Sequence, residues 1–278
     1  MAGKRWDLGS TVRLRGGVEM PVLGLGVWQS APGAETRRAV AEALAAGYRH
    51  VDTARAYRNE ADVGAAIRES GVPRRDVFVT TKLWNADHGY DKALRAVDAS
   101  LEALGLEQVD LYLVHWPVEG LRLDTWRAFE RIRADGKARA IGVSNYTARH
   151  LDELLAHAKE PPAVNQVEFS PFLNQRGLLE RCRKEGIQLE AYGPLVRGHK
   201  MDHPVLERLA RKHARTPAQV LLRWGIQHEL VVIPKSVRPE RIRENADVFG
   251  FELDADDLRE LDGLDEGYRT SWDPSEVP

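Results

Sequence analysis

The chain has 278 residues, longer than a typical small domain and short for two, a length that single α/β barrels commonly fill. Hydrophobic residues make up 43% and charged residues 29%, the balance of a globular protein able to bury a large core. The 40 basic and 42 acidic residues are well mixed and leave a net charge of −2, which gives no broad basic face for nucleic acid or an anionic membrane.

The lone cysteine, Cys182, allows no internal disulfide and no cysteine-based metal site, and an unpaired thiol suits a reducing compartment. The opening "MAGKRWDLGSTVRL" has no apolar stretch of the signal-peptide kind, and no run of about 20 apolar residues appears. A cytoplasmic location is therefore expected.

In chain order, "STVRLRGGVEMPVLGLG" reads first as a hairpin with "RGG" near its turn. Strand-like runs follow at 20–28, 48–54, 76–84, 109–116, 138–146, 163–169, 188–195 and 230–236. Helical patterns lie between them. In "GYDKALRAVDASLEALGL" the apolar face is Ala93, Leu94, Val97, Leu101 and Leu104, with Gly105 as the stop. "TARHLDELLAHA" repeats the pattern, and "TPAQVLLRWGIQH" opens on an N-cap threonine followed by proline at the first helical position. "HPVLERLARKHA" adds a helix before the last strand.

Strand ends roughly 25–35 residues apart, each followed by a helix, are the mark of βα units. Eight of them predict one α/β domain over 1–278, a (β/α)8 TIM barrel with extra helices late in the chain. The hairpin is placed as a plug in its N-terminal mouth. A doubly wound sheet is the competing fold. "GLGVWQ" has the first glycine spacing of a dinucleotide fingerprint, but Gln29 occupies the third glycine position and no clear helix opens behind it. Gly24 and Gly26 read instead as points where backbone approaches a ligand or the barrel wall.

In such a barrel the C-terminal strand ends face the functional mouth. Strand two ends at Asp52, with Tyr57 just beyond it; strand three ends at Lys82 and strand four at His115. Singly, these read as a turn former, a packed ring with a wet tip, a snorkelling lysine and a core histidine. Their joint placement on neighbouring strands points to a site, and Lys82 in a barrel mouth needs Asp52 as its partner. A lysine beside a tyrosine stabilises the phenolate and is expected to lower the phenol's pKa from about 10. Tyrosine as acid, lysine as tuner and histidine as orienter suit protonation of a carbonyl oxygen.

No nucleophile is apparent, and a nicotinamide hydride fills that gap. Lys235, Ser236, Arg238 and Arg241 in "IPKSVRPERIREN" cluster where a loop meets a helix N-terminus, a favourable phosphate position. That many cations suggest a 2′-phosphate, hence NADP rather than NAD. The bland alternative is a solvated basic helix face.

"DTARAYRNE", "TTKLWN", "LYLVHWP", "GVSNY", "NQVEFSP" and "IPKSVRPERIREN" together closely resemble the aldo-keto reductase superfamily, in order and across nearly the whole chain. Within it the chain looks most like the prokaryotic reductases grouped with 2,5-diketo-gluconate reductase. The resemblance implies NADPH bound across the C-terminal mouth and a catalytic tetrad of Asp52, Tyr57, Lys82 and His115, with Tyr57 as proton donor. It implies that Ser144, Asn145 and Gln166 hold the carboxamide, and that Tyr192 stacks on the nicotinamide. Lys235, Ser236 and Arg241 would take the 2′-phosphate, with Glu244 and Asn245 near the adenine. Further cofactor contacts are expected at Gly26, Val27, Trp28, Gly193, Leu195, Val237 and Arg238. Trp28, Trp84, His115 and Trp116 would line the substrate pocket.

The chain departs from better-known members at Gly193, where many carry serine and one pyrophosphate-side hydrogen bond is lost, and at Tyr146, where phenylalanine is common. The segment "PVEGLRL" and the tail are short, which predicts an open pocket tolerant of several small carbonyl substrates. Trp272 is placed either over that opening or in simple packing. A monomer is the family expectation. The competing functions are an NADPH-binding sensor with little turnover, against which the intact tetrad argues, and a metal-dependent barrel hydrolase. The latter would show an H-x-H after the first strand, and none is present, so no metal is expected.

Overall fold

The computed structural model describes residues 5–278. Strands β1 (Thr11–Arg13) and β2 (Glu19–Pro21) form the antiparallel hairpin read from the sequence, with Thr11 opposite Pro21. Val12, Leu14, Val18 and Met20 turn inward and are buried. The Arg15 guanidinium donates to the carbonyl of Glu185, just before a barrel strand begins. The hairpin therefore lies under the N-terminal ends of the strands.

Eight parallel strands follow in sequence order: β3 (Leu25–Gly26), β4 (His50–Asp52), β5 (Phe78–Leu83), β6 (Val109–Val114), β7 (Ala138–Ser144), β8 (Val164–Glu168), β9 (Gln188–Tyr192) and β10 (Val231–Val232). Parallel bridges from Leu23 to Val232 and from Gly26 to Lys235 close the sheet on itself. The fold is a (β/α)8 barrel. At that seam Gly24 has no room for a side chain, since a Cβ would stand 2.5 Å from the His50 ring. Gly24 thus serves the barrel wall.

The seam strands are shorter than the sequence windows 20–28 and 230–236. Met20 and Pro21 belong to the hairpin, and Pro234 offers no N–H to extend the ladder beyond Val232. The central strands β5 and β6, buried on both faces, keep their expected length.

The surrounding helices are α1 (Ala34–Ala45), α2 (Glu60–Glu69), α3 (Tyr90–Leu104), α4 (Arg122–Ala134), α5 (Ala148–Leu155), α6 (Arg176–Glu185), α7 (Pro204–His213), α8 (Pro217–Gln227), α9 (Pro239–Ala246) and α10 (Ala255–Asp262). In α3 the buried positions include Ala93, Val97, Leu101 and Leu104, and Gly105 ends the helix in the left-handed conformation. In α8 Thr216 and Gln219 form a capping box and Pro217 takes the first turn. Helix α7 is the extra helix between β9 and β10, and α10 follows the barrel. Among the described residues, no helix is long and apolar enough to cross a membrane.

Candidate active site

Three consecutive strands deliver the polar groups. Strand β4 ends at Asp52, β5 carries Lys82 near its end, and His115 follows β6 directly. The loop after β4 is pinned by Asn59, which accepts from the Thr53 hydroxyl at 2.8 Å and donates to the Val27 carbonyl at 3.0 Å. That brace sets a short 3-10 turn at Arg55–Tyr57, and Arg58 in the left-handed region turns the chain into α2.

Lys82 is wholly buried, and its ammonium donates to Asp52 Oδ1 at 2.6 Å, to the Thr53 carbonyl at 3.0 Å and to the Tyr57 hydroxyl at 3.3 Å. All three N–H bonds have acceptors, which is what a buried ammonium requires. Burial works against its charge, but Asp52 and Tyr57 outweigh it and raise the Lys82 pKa. Burial also raises Asp52, with Lys82 and the hydrogen bond from Gln166 opposing it.

The Tyr57 phenol is raised above its ordinary value, because burial outweighs the pull of Lys82. The expected lowering by lysine is present as a contribution and loses to desolvation. The site therefore holds a neutral phenol that keeps its proton, with an ammonium ready to stabilise the anion once the proton leaves. His115 sits edge-on to Tyr57 at 5.6 Å and to Trp84 at 5.5 Å between ring centres. Burial, with Lys82 adding to it, lowers its pKa well below the usual value, so the imidazole is neutral.

Above this floor opens a cleft of about 1930 Å³. Asp52, Tyr57 and His115 line its inner end, with Ser144, Asn145 and Gln166 beside them. The Ser144 hydroxyl donates to the Gln166 carbonyl, and Asn145 donates to the His115 carbonyl. The Tyr192 hydroxyl donates to Asn145 Oδ1 at 2.8 Å. Gly193 follows with φ of +60°, a conformation glycine takes without strain and serine does not.

Lys235, Ser236, Val237, Arg238, Arg241, Glu244 and Asn245 line the outer end. Among the described residues, the side chains of Lys235, Arg238 and Arg241 form no ion pair. Unpaired cations at the start of α9 suit a phosphate, which supports the phosphate reading over a merely solvated helix face. Glu244 is held by the Thr216 hydroxyl at 2.6 Å. These residues fit an extended dinucleotide: amide donors and acceptors at one end, phosphate-binding cations at the other.

Gly26, Trp28, Gly193 and Leu195 also line the cleft, as do Trp84 and Trp116. Val27 does not. It is fully buried, its N–H donates to the Asp52 carbonyl, and its carbonyl accepts from Asn59, so it braces the loop and is not placed to touch a ligand. Lys82 lies beneath the surface and meets the cleft through Asp52 and Tyr57, which line it.

Several residues here were not anticipated. The Arg197 guanidinium lies over the Trp28 ring at 4.5 Å, crossing the cleft. Glu168 accepts from Thr270 and Ser271 and ties down the tail. Trp272 was anticipated: of the two placements read from the sequence it takes the one over the opening, its ring 5.7 Å from Trp116. Glu190 is wholly buried, accepting from Gln166. A charged residue inside an otherwise strand-like "QLEAY" was the available signal for it. Among the described residues, no group of three or more His, Cys, Asp or Glu side chains is placed to hold a metal ion.

The sequence matches the model of the aldo/keto reductase family over residues 22–266. The chain belongs to that family. It is 50% identical over 271 residues to a glyoxal reductase of Bacillus subtilis (strain 168), covering 98% of each. Among solved structures it resembles MGS-M4, an aldo-keto reductase enzyme from a Medee basin deep-sea metagenome library, with a TM-score of 0.93, 45% identity and coverage of 96% of this chain and 99% of that one. A mutant of Gox0644 solved in complex with NADPH aligns with a TM-score of 0.91 and 42% identity, covering 96% of this chain and 98% of that one. This aldo-keto reductase is an NADP-dependent oxidoreductase.

Proposed function

We propose that this reductase reduces small aldehydes, dicarbonyls or keto-sugars with NADPH, that Tyr57 gives the proton, and that one barrel domain over 1–278 carries the whole reaction. The observation behind the proton assignment is the direction of one hydrogen bond. Lys82 has only N–H bonds to offer, so the Tyr57 oxygen accepts from it, and the phenol's own proton is left to point into the cleft.

When bound, NADPH would supply the hydride for the carbonyl carbon. Tyr57 donates its proton to the carbonyl oxygen as negative charge develops there, and Lys82 stabilises the phenolate left behind. Asp52 keeps Lys82 charged and oriented. The neutral imidazole of His115 provides a hydrogen-bond donor beside Tyr57 to hold the oxygen in place. With the cofactor bound, Ser144, Asn145 and Gln166 would hold its carboxamide, Tyr192 would pack on the nicotinamide, and Glu244 and Asn245 would lie near the adenine. Lys235, Ser236, Val237, Arg238 and Arg241 would hold the 2′-phosphate end, and Gly26, Gly193 and Leu195 would line the path between.

Trp28, Trp84 and Trp116 line the substrate end, a mostly apolar wall that suits small carbonyl compounds. The named activity of the Bacillus subtilis relative, glyoxal reduction, favours small dicarbonyls first. The single cysteine, Cys182, is free and buried, which suits a reducing compartment such as the cytoplasm; a monomer is the family expectation.

The test is fluorescence titration with NADPH and NADH, then oxidation of bound NADPH on addition of methylglyoxal, other aldehydes and keto-sugars. Tighter NADPH binding with turnover is expected. Binding without turnover of any carbonyl would leave a sensor, and absence of binding would remove the reading altogether.

A further inference from the structure

Gln166 on β8 and Glu190 on β9 stand opposite each other in register, and both are buried inside the barrel. The Gln166 amide donates one N–H to Glu190 Oε2 at 2.9 Å and the other to Asp52 Oδ2 at 2.8 Å, across the barrel. With both N–H bonds taken by carboxyl oxygens, only the carbonyl end of this amide remains for a ligand in the cleft that Gln166 lines. Glu190 Oε1 has no hydrogen-bond partner among the described residues. Its nearest cationic candidate is His50 Nε2 at 3.7 Å, which already meets the Thr80 hydroxyl.

The groups facing Glu190 are Asp52 and His50 from β4, Lys82 from β5, Gln166 from β8 and, further out, Tyr57. Burial, with Lys82 adding to it, pulls His50 down to about 3, so that ring is neutral. Lys82 and Asp52 cancel. A charged Glu190 would leave an unpaired negative charge in the barrel interior, and a protonated one leaves none. Burial, reinforced by Asp52, pushes the Glu190 carboxyl up to about 8.

We propose that Glu190 is a positioning residue for the reduction: it fixes the direction of the Gln166 amide and, by keeping its own proton, holds the buried charge beneath Tyr57 at neutral. Loss of that proton places a negative charge near Tyr57, which makes the phenol a weaker acid and slows proton donation. The sign follows directly. Reduction is fastest with Glu190 protonated and falls as pH rises through its titration. This role rests on the reductase reading given above.

The experiment compares the wild type with Glu190→Gln and Glu190→Leu. The wild-type kcat profile is expected to fall on the alkaline side with a midpoint near 8. Glu190→Gln, permanently uncharged and still able to accept from Gln166, is expected to lack that fall. Glu190→Leu frees the amide and is expected to bind NADPH about five- to tenfold more weakly, with Glu190→Gln restoring affinity.

Difference infrared spectroscopy of the protein alone, between about pH 6 and about pH 10, adds a reading that needs no turnover. A protonated-carboxyl band that disappears over this range and is absent from Glu190→Gln supports the proposal even if no carbonyl is reduced. An alkaline fall retained in Glu190→Gln, or unaltered NADPH affinity in Glu190→Leu, would overturn it. If Glu190→Leu fails to fold, the Glu190→Gln profile and infrared band decide the matter alone.

Discussion

The inner and outer ends of the cleft are built on opposite terms. At the inner end Lys82, Asp52, Gln166 and Glu190 are buried, and each hydrogen-bonds another member of the group. At the outer end Lys235, Arg238 and Arg241 are exposed cations with no ion-pair partner among the described residues. Proton transfer needs groups fixed to within tenths of an ångström and removed from water, where charge interactions are strong. Gripping a phosphate needs only charge within reach, at a strength that salt can reduce. On the proposed reading, the inner end carries the chemistry and orients the nicotinamide through Gln166, and the outer end supplies the affinity that comes from the phosphate.

The widest separation of those roles is expected from Tyr57→Phe. Turnover should fall by about 10²- to 10⁴-fold, the range for a lost general acid, while NADPH affinity stays within about twofold. A variant that binds NADPH poorly and turns over what it binds at the normal rate would break the division. Lys82→Met attacks the buried floor and leaves Asp52 without its cation. A loss of about 3–5 kcal/mol in denaturant unfolding is expected, together with loss of activity. Unchanged stability would mean that the ion pair is not what holds the inner end.

At the other end, Arg241→Ala should weaken NADPH by about tenfold at low salt, with the difference shrinking as salt rises. NADH, which lacks the 2′-phosphate, should be nearly unaffected. Equal weakening of both cofactors would remove the phosphate assignment. The smallest effect is expected from Trp272→Ala, which deletes the aromatic contact to Trp116 over the opening. KM for aldehydes should shift by about two- to tenfold with kcat little altered. A change in kcat instead would place the tail in the chemical step.

The grouping of Asp52, Tyr57, Lys82 and His115 was legible because β-rich runs announce barrel strands, whose C-terminal ends face one mouth. His115 follows the apolar run 111–114, while Asp52 and Lys82 stand near the ends of the β-rich runs 48–54 and 76–84, with Tyr57 just beyond the first. The basic cluster of Lys235, Arg238 and Arg241 was legible as charge density beside a helix start. Other parts of the site depend on where chain paths cross, which periodicity does not record. Arg197 meets Trp28, Glu168 grips the tail, and Trp272 returns to Trp116 across long sequence separations. Val27 was misplaced because its side chain points into the core while its backbone braces the loop after β4. The lowered phenol expected from a neighbouring lysine missed the cost of burial, which no sequence spacing reveals.

The most direct measurement follows deuterium from NADPH labelled on its transferable position into the product of methylglyoxal reduction by the wild-type protein. The account predicts an alcohol carrying the label on its new carbinol carbon. Unlabelled product, or bound NADPH with no alcohol formed, would contradict it.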